Sequence, residues 1–364
     1  MKKISNLELS SIVIIQVVTM FSGINITILK EGSDINSWLS ALLLYILGFI
    51  PLLLILYISN YKKDLNLHQK INSLFGKILG TIINIIISII LISLGITILY
   101  NIINFILSQL LYRTPFLISC ILFMLLIIYN TNKGINVITK SSLLLLMLNI
   151  GLYIINIFAL YKQVDITNFY PLLKINTNNI IPTTLKLFSI NMLPLLLILM
   201  IPKEQIDNPK KYNKTIIISY IIGALISLSL VVVTFGVLGI NLIKAFEYPG
   251  YIVLRKIELL GFLERIENVI SLQWIVGSFV YLSLIIYTIS KSIPLKSIKK
   301  HKYLNIIIGT IFIILTKSIF KNNTIFDTYI IKIFPYITSI LSLVYIIIPT
   351  KILFRKNKII TNKT

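Results

Sequence analysis

Ten long apolar runs decide what this chain can fold into: approximately Leu9–Leu29, Ser37–Ser59, Ile78–Leu107, Pro115–Tyr129, Ser141–Tyr161, Ile180–Ile201, Thr215–Ile240, Val269–Ser290, Tyr303–Phe320 and Tyr329–Ile348. About 20 apolar residues in a helix cross the roughly 30 Å of a bilayer's hydrocarbon core. Inside that core every backbone polar group must be satisfied within the protein, which leaves helices or a closed barrel. Barrel strands alternate in polarity over about ten residues, and these runs are continuously apolar. The expected fold is therefore all-α and membrane-spanning, with ten transmembrane helices in one polytopic domain over residues 1–364. The fourth and ninth runs are short, whereas the third and seventh are long enough to tilt or project. Composition agrees, with 57% apolar and 13% charged residues against about half and a quarter in a soluble domain. Soluble enzymes, soluble nucleic-acid binders and disordered chains are excluded.

The net charge of +22, from 34 basic and 12 acidic residues, raises the question of a nucleic-acid partner, and its placement answers it. With the amino terminus inside, most lysines and arginines fall in the N-terminus, the even-numbered loops and the C-terminus. They cluster at Lys62/Lys63/Lys70/Lys77, Lys203/Lys210/Lys211/Lys214, Lys291–Lys302 and Lys351–Lys363. That asymmetry is the positive-inside rule and predicts both termini in the cytoplasm. Lipid headgroups account for the basicity, and no nucleic acid is required. The first run, containing Gln16, Thr19 and Asn25 and no small-residue cleavage site, reads as a spanning helix rather than a removed signal peptide. Cys120 lies mid-span as the single cysteine and has no intramolecular disulfide partner.

Ten spans divide into five and five, about 9–161 and 180–349. Tandem duplication of an odd unit inserts the second copy upside down, giving an inverted repeat. Both halves carry a break in their first span. In span one the break is Phe21-Ser22-Gly23-Ile24-Asn25; in span six it is Ser189-Ile190-Asn191-Met192-Leu193-Pro194. Pro194 removes a helical hydrogen bond, and Gly23 relaxes the conformational limits on the backbone. Helices interrupted mid-membrane at corresponding positions of two halves point to a midplane ligand site. Unpaired N–H groups there attract a carboxylate and freed carbonyls accept from an ammonium, so a zwitterionic amino acid fits. The alternative is that Gly23 allows close helix packing and Pro194 kinks its span.

Polar residues recur at helical spacing in span three (Ser93, Thr97, Tyr100, Asn101, Asn104, Ser108) and in span eight (Trp274, Ser278, Tyr281, Thr288). Facing inward, they would line one pocket with the two breaks, or serve as interhelical hydrogen-bonding groups. The expected ligand-binding set is Thr19, Ser22, Gly23, Ile24, Asn25, Thr97, Tyr100, Asn101, Phe188, Ser189, Asn191, Met192, Trp274, Ser278 and Tyr281. Asn149, Tyr153 and Asn156 in span five are expected to hold helices together. Lys186, near the outer end of span six, can snorkel. No Asp or Glu lies mid-span, so a buried carboxylate proton relay is not expected. The two histidines, His68 and His301, fall in inner basic loops and are expected to be solvated, without partners at metal-ligand spacing. No phosphate-cradling loop, nucleophile elbow or paired carboxylates occur. The chain does not read as an enzyme, and neither a cofactor nor a metal is expected. The outer segment 241–268 reads as an amphipathic cap, a lid or a docking surface.

Asn36-Ser37-Trp38-Leu39-Ser40 opening span two, the outer Glu247-Tyr248-Pro249 turn, and Gly261-Phe262-Leu263-Glu264-Arg265-Ile266-Glu267 running into Trp274 together resemble the B-subunit family of spore germinant receptors. That family is similar to permeases of the amino acid–polyamine–organocation superfamily. The resemblance implies a sensor in the spore inner membrane that binds a small nutrient, such as an amino acid, at the breaks of spans one and six. It also implies partners, a larger membrane A subunit and a lipoprotein C subunit, for which Glu264, Arg265 and Glu267 are contact candidates. One departure stands out: such permeases carry Gly-x-Gly in the first break, and here Gly23-Ile24-Asn25 keeps one glycine. The alternative implied by the same fold is an amino-acid permease that transports its ligand.

Overall fold

The computed structural model describes residues 3–32, 36–170, 176–256, 266–293, 295 and 297–361, with the side chains of residues 21, 22, 266 and 356–361 left aside. Each apolar run is a helix. Among the described residues nine reach spanning length: span one Asn6–Gly32, two Ser37–Ser59, three Leu67–Leu110, five Ile135–Gln163, six Thr177–Met200, seven Pro209–Ala245, eight Glu267–Ser292, nine Ile298–Ile319 and ten Asn323–Arg355. The fourth, Phe116–Asn132, is shorter, as its run predicts, whereas the ninth, whose apolar run is also short, reaches spanning length because its helix starts earlier, at Ile298. Among the described residues β-pairing is confined to one isolated bridge, Ile4 with Ile206.

Local chemistry sets the helix ends. Span one opens on a capping box: the Glu8 backbone N–H donates to Ser5 Oγ at 3.1 Å and the Ser5 N–H donates to Glu8 Oε2 at 2.9 Å, satisfying N-terminal donors reciprocally. Asn66 and Gln69 form a second box at the start of span three. That helix begins a dozen residues before its apolar run, and Gly76, at φ 80°, separates a short amphipathic arm from the span proper. Spans four and five are joined through Lys133 and Gly134, where φ of 88° favours glycine.

Two groups of helices pack together. Span one lies against spans seven and five, and span two against span six; spans three, four, eight and nine form the other group. Small residues permit the close approaches. A Cβ on Gly223 of span seven would meet Val17 at 2.9 Å, and one on Gly95 of span three would meet the Phe312 ring at 2.1 Å. Without a hydrophobic drive between helices in lipid, such contacts supply the association energy. The periphery is apolar: Ile78, Leu144, Leu225 and Phe354 are exposed, as a lipid-facing surface requires.

Hydrogen bonds place the N-terminal segment, the even-numbered loops and the end of span ten at one end of the bundle. Ile4 N–H donates to the Gln205 carbonyl, Glu204 N–H to the Lys63 carbonyl, and Arg355 Nη2 to the Leu74 carbonyl. At the opposite end Gln163 Nε2 donates to the Lys256 carbonyl and Asn104 to Glu247. The basic clusters therefore share one end.

Of the two histidines expected to be solvated there, His68 is buried. His68 is only 2% exposed. Its Nε2 donates to the Thr288 carbonyl at 2.9 Å and its Nδ1 meets the Asn84 amide at 2.8 Å. The arm before Gly76 folds back onto spans three and eight and covers the ring, which the loop-like sequence around it does not reveal. Lys70 is buried as well, and its ammonium donates to the carbonyls of Ser59, Tyr61 and Lys62. It caps the C-terminal end of span two, where a cation suits the helix dipole. His301 is half-buried.

Candidate functional site

Both breaks occur, in forms that keep the backbone helical. In span one, Phe21–Asn25 is a π-helical turn between α-helical Asn6–Met20 and Ile26–Gly32. A single π turn inserts one extra residue and re-aims the side chains beside it. In span six the α-helix Thr177–Asn191 passes through Met192 into a 3-10 segment, Leu193–Met200. Pro194 cannot donate to the Ile190 carbonyl, and the backbone tightens instead of opening. The carbonyl of Leu193 is taken by Tyr345 Oη at 2.9 Å. Naked peptide groups were the expectation from sequence; the backbone instead changes its helical pitch, and a neighbouring phenol takes one carbonyl beside the break.

The two breaks meet through side chains. Asn25 Nδ2 donates to Asn191 Oδ1 at 2.8 Å, and Asn191 Nδ2 donates to Asn25 Oδ1 at 3.0 Å. Asn25 is 0% and Asn191 1% exposed. The second amide hydrogen of Asn191 goes to the Leu187 carbonyl at 2.7 Å, holding the side chain against its own last α turn. Asn101 of span three abuts the same turn of span one at Gly23. A Cβ on Gly23 would lie 2.3 Å from Asn101 Oδ1, so Gly23 is required by this side chain more than by a backbone angle.

Around this centre, Thr19 abuts Gly277 of span eight, where a Cβ would lie 2.5 Å from Thr19 Oγ1. Met192 Sδ receives Tyr220 Oη at 3.4 Å. Tyr281 faces the buried Gln16 amide. Ile24, Thr97 and Ser278 are buried too, and Thr97 donates back to the Ser93 carbonyl. The side chain of Ser22 lies outside the described set.

Four expected residues face elsewhere. Phe188 lines a groove of about 420 Å³ between spans six and ten, beside Lys186. Ser189 accepts from Thr338 of span ten at 3.2 Å. Tyr100 donates to Asn323 at 2.9 Å and packs its ring on Phe116, Phe320 and Phe326. Trp274 packs edge-on against Phe105 with ring centres 4.7 Å apart. It lines a small space of about 20 Å³ with Asn156, Gln273 and Gly250, room for one water. The polar stripe of span three thus divides: Ser93 and Tyr100 turn toward span ten and its approach, Asn101 toward span one, Asn104 toward the outer loop. Of the docking candidates, Glu264 and Arg265 lie outside the described residues, and Glu267 is half-buried at the start of span eight.

Sequence reasoning missed the mouth at the end opposite the basic clusters. Asn104 Nδ2 donates to Glu247 Oε1 and to Tyr248 Oη, both at 2.7 Å. These bonds tie down the short helix Pro249–Leu254, with Tyr248 and Tyr251 packed on Phe105. Burial, aided by the Glu247 carboxylate, pushes the Tyr248 phenol well above its usual range. Lys30 is buried and donates to the Phe246 carbonyl at 3.3 Å, and Asp327 lies within electrostatic reach of both Lys30 and Glu247. These charges sit at the edges of apolar runs, where a sequence presents them as ordinary solvated helix ends. The available signal was the pairing of one cation with acids at that same end of the bundle.

Chemically, the centre offers amide N–H donors and amide carbonyl acceptors facing each other across two helix breaks, below a mouth carrying both charge signs. A carboxylate can take the donors and an ammonium the acceptors. Among the described residues, no cluster of three or more His, Cys, Asp or Glu is placed to hold a metal.

No curated protein matches the sequence. Among solved structures, a sodium-coupled sialic acid symporter in a substrate-bound, outward-open state aligns with a TM-score of 0.67 at 12% identity, covering 94% of this chain and 79% of that one. The two share the inverted-repeat fold of membrane symporters. A sequence model of the spore germination protein family matches residues 3–325. This is a multi-pass membrane protein of the transporter and receptor type, and not an enzyme. With nearly its whole length matched by that family and its helices laid out as a symporter's, the chain belongs to the spore germination permease family.

Proposed function

We propose that this chain is the nutrient-sensing membrane subunit of a spore germination receptor. It binds a small zwitterion, an amino acid, at the breaks of spans one and six and signals to A and C partner subunits in the spore inner membrane. The observation that carries the reading is the reciprocal Asn25–Asn191 pair. It joins the two breaks with donors and acceptors that a carboxylate and an ammonium would use. Ligand replaces the amide–amide bonds and separates spans one and six, and partners read that shift. A ligand moves such an equilibrium only by its differential affinity for the two states. The basic end, with both termini, faces the cytoplasm by the positive-inside rule. The partner contact is assigned to Glu264, Arg265 and Glu267.

The second reading, an amino-acid permease, is favoured by the symporter-like fold. Equilibrium binding of radiolabelled amino acids to the purified chain, set beside uptake into liposomes, separates the two. Saturable binding without uptake supports the sensor; uptake reverses the order. Loss of binding in Gly23→Val and Asn191→Leu, with normal membrane insertion, is expected. Unchanged binding in both refutes the midplane site.

A further inference from the structure

At the basic end, a cleft of about 150 Å³ opens between the loop joining spans four and five, the last turn of span eight and the first turns of span nine. Lys133, Lys291, Lys302 and His301 line it, and no carboxylate lies among its described lining residues. Three lysines with no described acid beside them give the cleft a positive character that favours an anion.

The neutral groups hold the cleft's shape. Asn305 Nδ2 donates to Asn132 Oδ1 at 2.8 Å, tying span nine to the loop after span four. His301 Nε2 donates to the Leu295 carbonyl and its Nδ1 meets Ser290 Oγ, each at 3.2 Å. Lys133 and Lys291 rest over the rings of Tyr129 and Tyr287, at 5.0 and 5.7 Å from the ring centres. Such cation–π contacts position an ammonium without a counter-ion. A tetrahedral oxyanion would collect hydrogen bonds from several lysines at once, each charge-assisted.

We infer that this cleft binds the phosphate of an anionic phospholipid headgroup. A lipid is favoured over free phosphate because the cleft lies at the membrane boundary. Exposed Tyr129, Ile298, Tyr303 and Ile307 continue from it along the apolar periphery, giving acyl chains a surface to lie on. Basic pockets between transmembrane helices on the cytoplasmic side suit such headgroups. Occupancy would clamp the loop after span four to spans eight and nine.

The test titrates the detergent-solubilised full chain by calorimetry with short-chain phosphatidylglycerol, short-chain phosphatidylcholine and inorganic phosphate. Saturable phosphatidylglycerol binding is expected, weakened about 30-fold in Lys291→Gln/Lys302→Gln from the loss of two charges near the site. Lys291→Arg/Lys302→Arg keeps it, which guards against a folding defect. Lys210→Gln/Lys211→Gln, the same charge change elsewhere at this end, leaves it intact. Equal weakening in that control pair overturns the site. Inorganic phosphate binding as tightly as phosphatidylglycerol, or phosphatidylcholine doing so, overturns the lipid assignment.

Discussion

Replacing Asn25 or Asn191 with leucine tests whether the two breaks are locked together. In either single variant the surviving amide keeps a donor and an acceptor in a site that is 0% or 1% exposed. Leaving a buried polar group unmet costs about 1–3 kcal/mol. Interhelical hydrogen bonds in membranes average only about 0.6 kcal/mol, because the unfolded chain in lipid also finds partners. With two bonds lost, each single variant should be destabilised by about 1–3 kcal/mol. Asn191→Leu should sit at the upper end, since it also frees the Leu187 carbonyl. Asn25→Leu/Asn191→Leu removes both amides together, leaves neither unmet, and should cost less than the sum by about 1–2 kcal/mol. Reversible unfolding in mixed micelles measures the four corners of this cycle. Amino-acid binding should be lost at all three variant corners, because recognition uses the amides that the latch uses. Strict additivity of the unfolding energies would show that the two side chains do not share a bond. Full binding by the double variant would separate the latch from the ligand site.

Two further outcomes follow from the same geometry. Gly23→Ala brings a Cβ to 2.3 Å from Asn101 Oδ1, an overpacking that should cost about 1 kcal/mol after Asn101 swings aside; adding Asn101→Ala should restore stability, and no rescue in unfolding measurements counts against the contact. Asn104→Leu removes two 2.7 Å bonds to Glu247 and Tyr248, and at about 1 kcal/mol each amide exchange in 246–256 should quicken by roughly tenfold or more; unchanged exchange means the aromatic packing alone holds the outer helix.

The spans were legible because each carries its own requirement. A stretch such as Ser37–Ser59 must be helical wherever it sits in lipid, since its backbone has no other partner. Gly23 and Pro194 were legible as breaks for a similar reason: each acts on its own backbone, and the π turn and the 3-10 segment appear where they stand. The form of each break was not legible. Whether the Leu193 carbonyl beside the break waits for a ligand or meets Tyr345 depends on a residue 152 positions away. The same limit explains His68 and Lys70, which sit in loop-like sequence and are buried by the fold of the arm before Gly76.

Sequence by itself determined the solvent, the number of spans, their helicity and the end of the bundle that carries the positive charge. Those follow from local free energies of transfer and backbone satisfaction, which a run of some 20 residues settles alone. Tertiary structure decided which polar side chains meet. It paired Asn25 with Asn191, turned Tyr100 and Phe188 toward span ten and its approach, and set Lys30, Glu247 and Asp327 around one mouth. A helical face can be read from periodicity, but its rotation about the helix axis is fixed only by the neighbours it packs against, and those come from distant parts of the chain.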